Sequence, residues 1–274
     1  MALDGKKIAE EIRSRTKFLI KKYHLKPGLA VILIGKNPGS LIYTKLKQKS
    51  AKAIGIKFEK FIFPSNVKQK KVIDLIKKLN KDKKIHGIIV QLPVPLKIDP
   101  DLLVKTISPL KDVDGFGLKT KFISPVHQGI VKLIKQSRVK TRNKKAVILG
   151  NSPIFTRHLK EILESRGLKT FIFYAKKQKF IRPVRTADFL IVALGLAYFI
   201  KPKMVKKNAV IIDVGYNLSI SGKEKKFCGD VDPSVNKKTP YLSPVPGGIG
   251  PLTVAFLLRN TYLAARTNLY NRKK

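Results

Sequence analysis

Several short stretches of this sequence hold residue types that can do chemistry at spacings that bring them together. Tyr43 and Lys47 are four residues apart in a stretch of helical character, with Ser40 one turn earlier, so their side chains share one helix face. A phenol ring there can stack on a flat ligand. A lysine amine beside it, partly desolvated and among other cations, has its pKa drawn toward neutrality and can exchange a proton. Val90-Gln91-Leu92-Pro93 ends an apolar run, and the C-terminal ends of strands are where open α/β sheets bind ligands. Asp112 and Asp114 lie in KDVDG, where a carboxylate can accept hydrogen bonds from an amino-substituted heterocycle. In Pro244–Thr253, PVPGGIGPLT, the glycines Gly247, Gly248 and Gly250 let backbone amides approach a ligand, while Pro246 and Pro251 stiffen the loop. These amides precede a helix, whose N-terminus favours anions.

Each stretch also has a plainer use. YxxxK suits a solvated lysine face, Gln91 a strand-end amide bonded to its own loop, DVDG a turn, and the glycine-rich loop a rigid connector.

Gly150-Asn151-Ser152 follows a strand-like run and fills the place of a dinucleotide fingerprint, but G-x-G-x-x-G is absent, with Ser152 and Phe155 at its second and third positions. The following strand ends in Tyr174, Ala175, Lys176 and Lys177, with no acid for a ribose 2′-hydroxyl. If a dinucleotide binds, these charges favour a 2′-phosphate, hence NADP over NAD.

Other chemistries are set aside. His24, His86, His127 and His158 show no ligand spacing, and no HExxH or Ser-His-Asp pattern occurs. The bidentate Glu that would make DVDG a calcium loop falls at position 123, which is Ile123. We expect no metal and no covalent serine or cysteine chemistry. The lone Cys228 excludes a disulfide framework and fits a reducing compartment. The N-terminal residues lack the apolar core of a secretory signal. The longest apolar stretch, Phe189 to Ile200, is shorter than the roughly 20 residues of a membrane span and reads as a buried strand followed by a turn. A cytoplasmic protein without a membrane partner is expected.

The net charge of +41 raises a nucleic-acid hypothesis. The lysines, however, are spread in short clusters from Lys21-Lys22 to Lys237-Lys238, with only Arg272-Lys273-Lys274 resembling a tail, and no aromatic-interleaved stretch or Cys/His finger accompanies them. They read as a solvated surface, part of which attracts an anionic substrate or cofactor, with no specific nucleic-acid partner.

The elements that must position these residues follow from periodicity. With 43% apolar residues over 274 positions the chain can build sizeable cores. An amphipathic helix capped by Asp4 precedes GLAVILIG, a continuous apolar run that reads as a fully covered parallel strand. A helix from near Ser40 to before Gly55, the strand KFEKFIFP, the helix KKVIDLIKKLNKD and the strand HGIIVQLPVP complete a β-α-β-α-β pattern. The alternation restarts with KAVILGNS, PIFTRHLKEILESRG, LKTFIFY, ADFLIVALG and NAVIIDVG, which reads as a second α/β domain of Rossmann type. We place the boundary near residue 120, giving domains over 1–120 and 121–250. The last helix, over about 251–274, returns to complete the first.

Taken in order, LDGKKIAEEIR, PGLAVILIGKNPGSLIYTKLKQKSAKAIGI, GIIVQLPVPL, LKDVDGF, ADFLIVALG, VIIDVGYN, GDVD and SPVPGGIGPLTVAFLLRNT resemble the bifunctional methylenetetrahydrofolate dehydrogenase/methenyltetrahydrofolate cyclohydrolase (FolD) family over nearly the whole chain. The resemblance implies a folate-binding catalytic domain and a dinucleotide-binding domain, commonly paired as homodimers. It also implies two steps in one cleft: oxidation of 5,10-methylenetetrahydrofolate by NADP, then hydrolysis to 10-formyltetrahydrofolate. Lys47 matches the catalytic lysine, Gln91 the glutamine that tunes it, Tyr43 the tyrosine that stacks on folate and Asp114 the aspartate that binds the pterin. Ser40, Val90 and Leu92 fall in the same pocket. Pro246, Gly247, Gly248, Gly250, Pro251 and Thr253 match the loop that closes over substrate. Gly150, Asn151 and Ser152 match the cofactor-phosphate turn, with Lys176, Gly195 and Tyr216 beside the cofactor.

The departures lie in the second half. Asn151 replaces a common phosphate-binding arginine, Thr156 a glycine and His158 a proline, and SPVHQG stands for PCTPxG. Arg157, Lys176 and Lys177 are candidates to compensate. The departures motivate a cyclohydrolase with weak or lost dehydrogenase activity as an alternative, and the charge motivates a non-catalytic nucleic-acid-binding relative as a second.

Overall fold

The computed structural model describes residues 3–117, 119–174, 180–221 and 224–271. In chain order its elements are α1 (Gly5–Lys22), β1 (Gly28–Ile34), α2 (Pro38–Ala53), β2 (Lys57–Phe63), α3 (Gln69–Lys81), β3 (Gly87–Gln91), α4 (Pro100–Thr106) and α5 (Pro125–Gln136). Then come β4 (Lys145–Gly150), α6 (Pro153–Glu164), β5 (Lys169–Phe173), α7 (Ile181–Arg185), β6 (Phe189–Ala193), β7 (Val210–Asp213), β8 (Asn217–Ser221), β9 (Glu224–Cys228) and α8 (Ile249–Asn271). The chain forms two compact units. One is Ala9–Pro125 with the residues from Val254 onward; the other holds the residues up to Ile8 together with Val126–Thr253.

The unit containing Ala9–Pro125 is built on a parallel sheet of order β2-β1-β3. Every residue of central β1 is buried, which is why its sequence is unbroken apolar, whereas edge strand β2 has no buried residue. Alternate β1 residues serve opposite faces. Leu29 and Val31 pack with Ile20 of α1, Ala51 of α2 and Leu257, Leu258 and Tyr262 of α8, so the last helix is part of this core. Ala30, Ile32 and Ile34 pack with Val72, Ile76 and Leu79 of α3 and Leu103 of α4. Helix α1 is capped as its sequence predicts, with Lys7 N donating to Asp4 Oδ1 at 3.0 Å.

Part of the positive charge has a structural cause. Helices α1, α2 and α3 end at the edge where β1, β2 and β3 begin. Lys26, Lys57, Lys83 and Lys84, with His24 and His86, line a cavity of about 600 Å³ there. Cations at this edge offset three converging helix C-terminal dipoles.

The second unit carries a parallel sheet of order β5-β4-β6-β7 and an antiparallel hairpin of β8 and β9. Its core joins Val147 and Leu149 of β4, Leu190 and Val192 of β6 and Ile211 of β7 to Val184, Ile200, Val231 and Val235. The run from Phe189 folds as expected, with buried β6 followed by a turn at Leu194–Tyr198. In both sheets the chain crosses over between the two strands flanking the switch point, β1 and β3 in one and β4 and β6 in the other. The crevice beyond the C-terminal ends of such a strand pair is where α/β sheets receive ligands.

Helices α4, α5 and α7 and the β8–β9 hairpin go beyond the elements read from periodicity. Helix α2 also starts at Pro38, two residues earlier than expected. Asn37 Oδ1 accepts from Ser40 N at 3.0 Å and Pro38 opens the first turn, so Asn37 is the cap and Ser40 is freed to point inward.

Candidate active site

The buried residues of α2 are Ser40, Thr44, Lys47 and Ala51, a stripe at helical spacing that holds hydroxyls and an amine where a core helix would hold leucines. Thr44 satisfies its own hydroxyl by donating to Ser40 O at 2.7 Å. Ser40 Oγ donates to Leu92 O at 3.2 Å, tying α2 to the end of β3.

Lys47 is 6% exposed. Its Nζ donates to Gln91 Oε1 at 2.8 Å, and Gln91 Nε2 donates to Leu92 O at 2.8 Å. Gln91 is therefore clamped at both ends of its amide and presents its oxygen to the amine. Nζ also lies 5.4 Å from the Tyr43 ring centroid, within reach of the ring's quadrupole. Burial pushes the Lys47 ammonium below its ordinary pKa, and the charge of Asp114 draws it partly back. Burial likewise raises the Asp114 carboxyl, which Lys47 opposes and Asp112 reinforces. Burial thus moves each group toward its neutral form, while the opposite charge of the other resists that shift.

Asp114 is presented by a loop in which every neighbour is fixed. Lys111 Nζ donates to Leu79 O at 2.8 Å and to Asp82 O at 2.7 Å. Asp112, 2% exposed, accepts Gly115 N at 3.0 Å and Gly117 N at 2.8 Å. Val113 is in the core. Gly115 has φ +71°, and a Cβ there would lie 2.6 Å from Phe122 O and Ser124 N, so only glycine fits. From α8, the buried Asn260 donates through Nδ2 to Val113 O at 2.9 Å and Ile123 O at 3.1 Å. Asn260→Ala strips the donor from two enclosed carbonyls and is expected to cost about 2 kcal/mol or more in urea denaturation. An unchanged midpoint and slope would show that the amide carries no such load.

Of the residues expected to meet folate, the structure therefore brings Ser40, Tyr43, Lys47, Gln91, Leu92 and Asp114 into one unit, with Val90 buried in the strand below. Asp112, Asn37 and Asn260 position them, and sequence motifs do not reveal those roles. The first was visible as the partner carboxylate in KDVDG. The others have polar side chains that act only on distant or local backbone and leave no motif.

The glycine-rich loop belongs to the other unit. Gly247 and Gly248 are buried, Pro246 is exposed, and Gly250, Pro251 and Thr253 are half-buried at the start of α8. A Cβ at Gly5 would lie 1.9 Å from Gly248 O, so the loop is packed directly on the first residue of α1. Thr253 Oγ1 donates to Ile249 O at 3.0 Å.

In the same unit, Gly150, Asn151, Ser152 and Gly195 gather at the β4/β6 switch point. Ser152 caps α6 by accepting from Phe155 N at 3.4 Å, and Asn151 Nδ2 donates to Leu194 O at 2.8 Å across the crevice. The residues Asn151 to Ile154 are exposed, so the α6 N-terminus faces outward with its dipole available to an anion. Thr156 is fully buried: its hydroxyl bonds the backbone of its own helix turn and Tyr174 Oη at 3.1 Å, and its methyl fills the space beside Gly150. Tyr216 stacks on Phe227 with centroids 4.5 Å apart. Lys176 lies outside the described residues, as does Lys177.

Residues 3–114 match the tetrahydrofolate dehydrogenase/cyclohydrolase catalytic domain and residues 124–269 the NAD(P)-binding domain of the same family. The chain is 39% identical to the bifunctional protein FolD of Campylobacter jejuni, over 97% of this chain and 99% of that one. It is 36% identical to the FolD protein of Listeria innocua, over 96% of each. Among solved structures, it superposes on bifunctional FolD of Campylobacter jejuni with a TM-score of 0.90 at 36% identity, covering 98% of this chain and 99% of that. The Trypanosoma brucei FolD structure, complexed with NADP and an inhibitor, gives 0.92 at 27% identity and 98% coverage of each. A clamped amine beside an aromatic ring and a carboxyl in one unit, and an open helix N-terminus at a sheet switch point in the other, thus sit in a chain that belongs to the bifunctional tetrahydrofolate dehydrogenase/cyclohydrolase family.

Proposed function

We propose that the protein oxidises 5,10-methylenetetrahydrofolate to the 5,10-methenyl cation with NADP and hydrolyses that cation to 10-formyltetrahydrofolate. The observation that carries this reading is the buried Lys47 amine, held by Gln91 beside Tyr43 and Asp114. The two matched domains and the relatives' names support the pairing of the two activities.

Tyr43 offers a face for the pterin and Asp114 an acceptor for its amino and ring N–H groups. The cofactor residues fit a dinucleotide: an exposed helix N-terminus beside Gly150, Asn151 and Ser152 suits a pyrophosphate, and a Cβ on Gly195 would meet nothing within 4 Å, which leaves room for close approach. When bound, NADP supplies the hydride acceptor for the methylene carbon. The protein's share of that step is to orient the folate. Asn151 and Thr156 are held by the turn's own bonding and packing, so these departures leave the turn folded and the α6 N-terminus open to a phosphate.

In the second step water adds to the cationic carbon between N5 and N10. Lys47 as the free amine takes a proton from that water. As ammonium it returns one to N5 as the carbon–N5 bond breaks, leaving the formyl group on N10 and releasing one net proton. Gln91 holds the head group through the cycle.

Under this reading the chain acts in the cytoplasm as a homodimer, with folate derivatives as its partners and no specific nucleic-acid or membrane partner. Among the described residues no helix is long and apolar enough to cross a membrane. Strand β5 forms a sheet edge with Phe171 exposed, a surface suited to a second copy.

The test is a paired assay on purified protein, following methenyl absorbance with NADP⁺ and NAD⁺ and, separately, its decay from supplied methenyltetrahydrofolate. Both rates are expected, with NADP⁺ the better oxidant. Absence of any cofactor-dependent rate would remove the dehydrogenase, and absence of accelerated decay the hydrolase.

A further inference from the structure

We propose that Asp230 is a positioning residue for the cofactor half of the reaction, holding the loop after β6 in the shape that receives the dinucleotide's hydroxyl- and amide-bearing parts; this rests on the dehydrogenase reading above. Asp230 is 0% exposed. Its Oδ2 accepts Leu194 N at 2.6 Å and Gly195 N at 3.1 Å, and its Oδ1 accepts Leu196 N at 2.8 Å and Asn217 Nδ2 at 2.9 Å. Three consecutive amides converging on one point form a nest that would otherwise attract an outside anion. Here the protein's own carboxylate fills it from below.

The consequence follows from peptide planarity. In a trans peptide the N–H of one residue and the C=O of the residue before it point opposite ways. Amides 194, 195 and 196 turned inward to Asp230 therefore turn carbonyls 193, 194 and 195 away from it. Leu194 O is taken by Asn151 from across the switch point. Gly195, at φ +72° and with nothing within 4 Å of a Cβ position, leaves its own peptide open. With its three donors occupied by Asp230 and Leu194 O by Asn151, the exposed Gly195 peptide presents an acceptor rather than a donor on the outer side of the loop. Acceptors suit ribose hydroxyls and a carboxamide NH₂. The phosphates are left to the α6 N-terminus.

A second carboxylate fixes the first. Asp213, 2% exposed at the end of β7, accepts Asp230 N at 3.0 Å, Val231 N at 2.9 Å and Gly215 N at 2.9 Å. A Cβ at Gly215 would fall 2.3 Å from Asp230 Cγ, so the chain before Tyr216 is pressed against the same carboxylate. Through Asn217 and Gly215, Asp230 registers the Tyr216 segment to the β6 loop, and both borders of the cofactor crevice answer to one side chain.

Asp230→Asn keeps the shape but replaces one acceptor oxygen by a donor that faces backbone N–H groups. The expected result is a rise of about 10-fold or more in the KM for NADP⁺, with hydrolysis of supplied methenyltetrahydrofolate retained, since Lys47 lies in the other unit. Asp230→Glu should restore part of the NADP⁺ affinity, which a merely structural role would not predict. If Asp230→Asn fails to fold, Asn217→Ala, which removes only the half-buried fourth donor, should raise the NADP⁺ KM several-fold with hydrolysis again retained. An unchanged NADP⁺ KM in the folded variant, or parallel loss of both activities and of thermal stability, overturns the inference. A wild-type protein that hydrolyses but shows no cofactor-dependent rate overturns the dehydrogenase reading, and the inference falls with it.

Discussion

Lys47→Met is expected to slow the hydrolysis of methenyltetrahydrofolate by roughly 10²- to 10⁴-fold, about 3 to 5 kcal/mol of transition-state stabilisation, with folate binding retained. The size follows from what one positioned proton carrier contributes. Binding is expected to survive because Tyr43, Gln91 and Asp114, the other residues proposed to meet folate, stay in place and methionine fills the buried stripe of α2 without adding a charge. The pH profile gives an independent check. Burial lowers the Lys47 pKa, so the basic form that accepts a proton from water is reached at lower pH than for an exposed lysine. The rate rises with pH along a limb that lies below the ordinary lysine range. Because the Asp114 charge pulls that pKa upward, Asp114→Asn is expected to move the limb to still lower pH, even as it removes the carboxyl proposed to hold the pterin. Full turnover by Lys47→Met, or a limb at the pKa of an exposed lysine, would take Lys47 out of the proton path.

Much of this site is legible in the sequence because its parts are local. Tyr43 and Lys47 share a face by helical arithmetic, and Gln91 is conspicuous as the polar residue ending an apolar strand. Buried β1 and the alternation of strands and helices fix the sheets. What sequence alone hides is bonding between side chains and distant backbone. Leu92 O, which collects Ser40 and Gln91, is an ordinary carbonyl. Asp230 reads as one acid in GDVD, since the amides it holds lie 34 to 36 residues upstream and belong to any residue type. Helix α5 is hard to read from sequence because Gly129, a poor helix former, falls within it. In the structure it is inside the helix, where a Cβ would come 3.2 Å from Leu252 Cβ, so the glycine serves close packing rather than chain reversal.

Gly229→Ala is expected to destabilise the second unit strongly, by roughly 3 kcal/mol or more. An added Cβ would lie 1.9 Å from Asp213 Oδ2 and 2.6 Å from its Cγ. The carboxylate cannot simply swing aside, because Gly215 N, Asp230 N and Val231 N all donate to it and none has water as a substitute. Either it moves and leaves buried amides unsatisfied, or the segment carrying Gly229, just after β9, moves and Asp230 leaves the β6 loop. Urea denaturation followed by circular dichroism reads the loss. Asp213→Ala removes the obstructing group, so the double variant should lose less than the two single losses together. Strict additivity would mean that the two positions do not meet. The same carboxyl gives stability a pH slope of known sign. Burial, with some help from Asp230, raises the Asp213 pKa to about 7, above its unfolded value, so the folded protein holds a proton that the unfolded chain releases. Its contribution is full below about pH 4 and is lost as pH rises through 7. Asp213→Asn, which cannot ionise, should flatten that slope, whereas an unchanged slope would assign it to other groups.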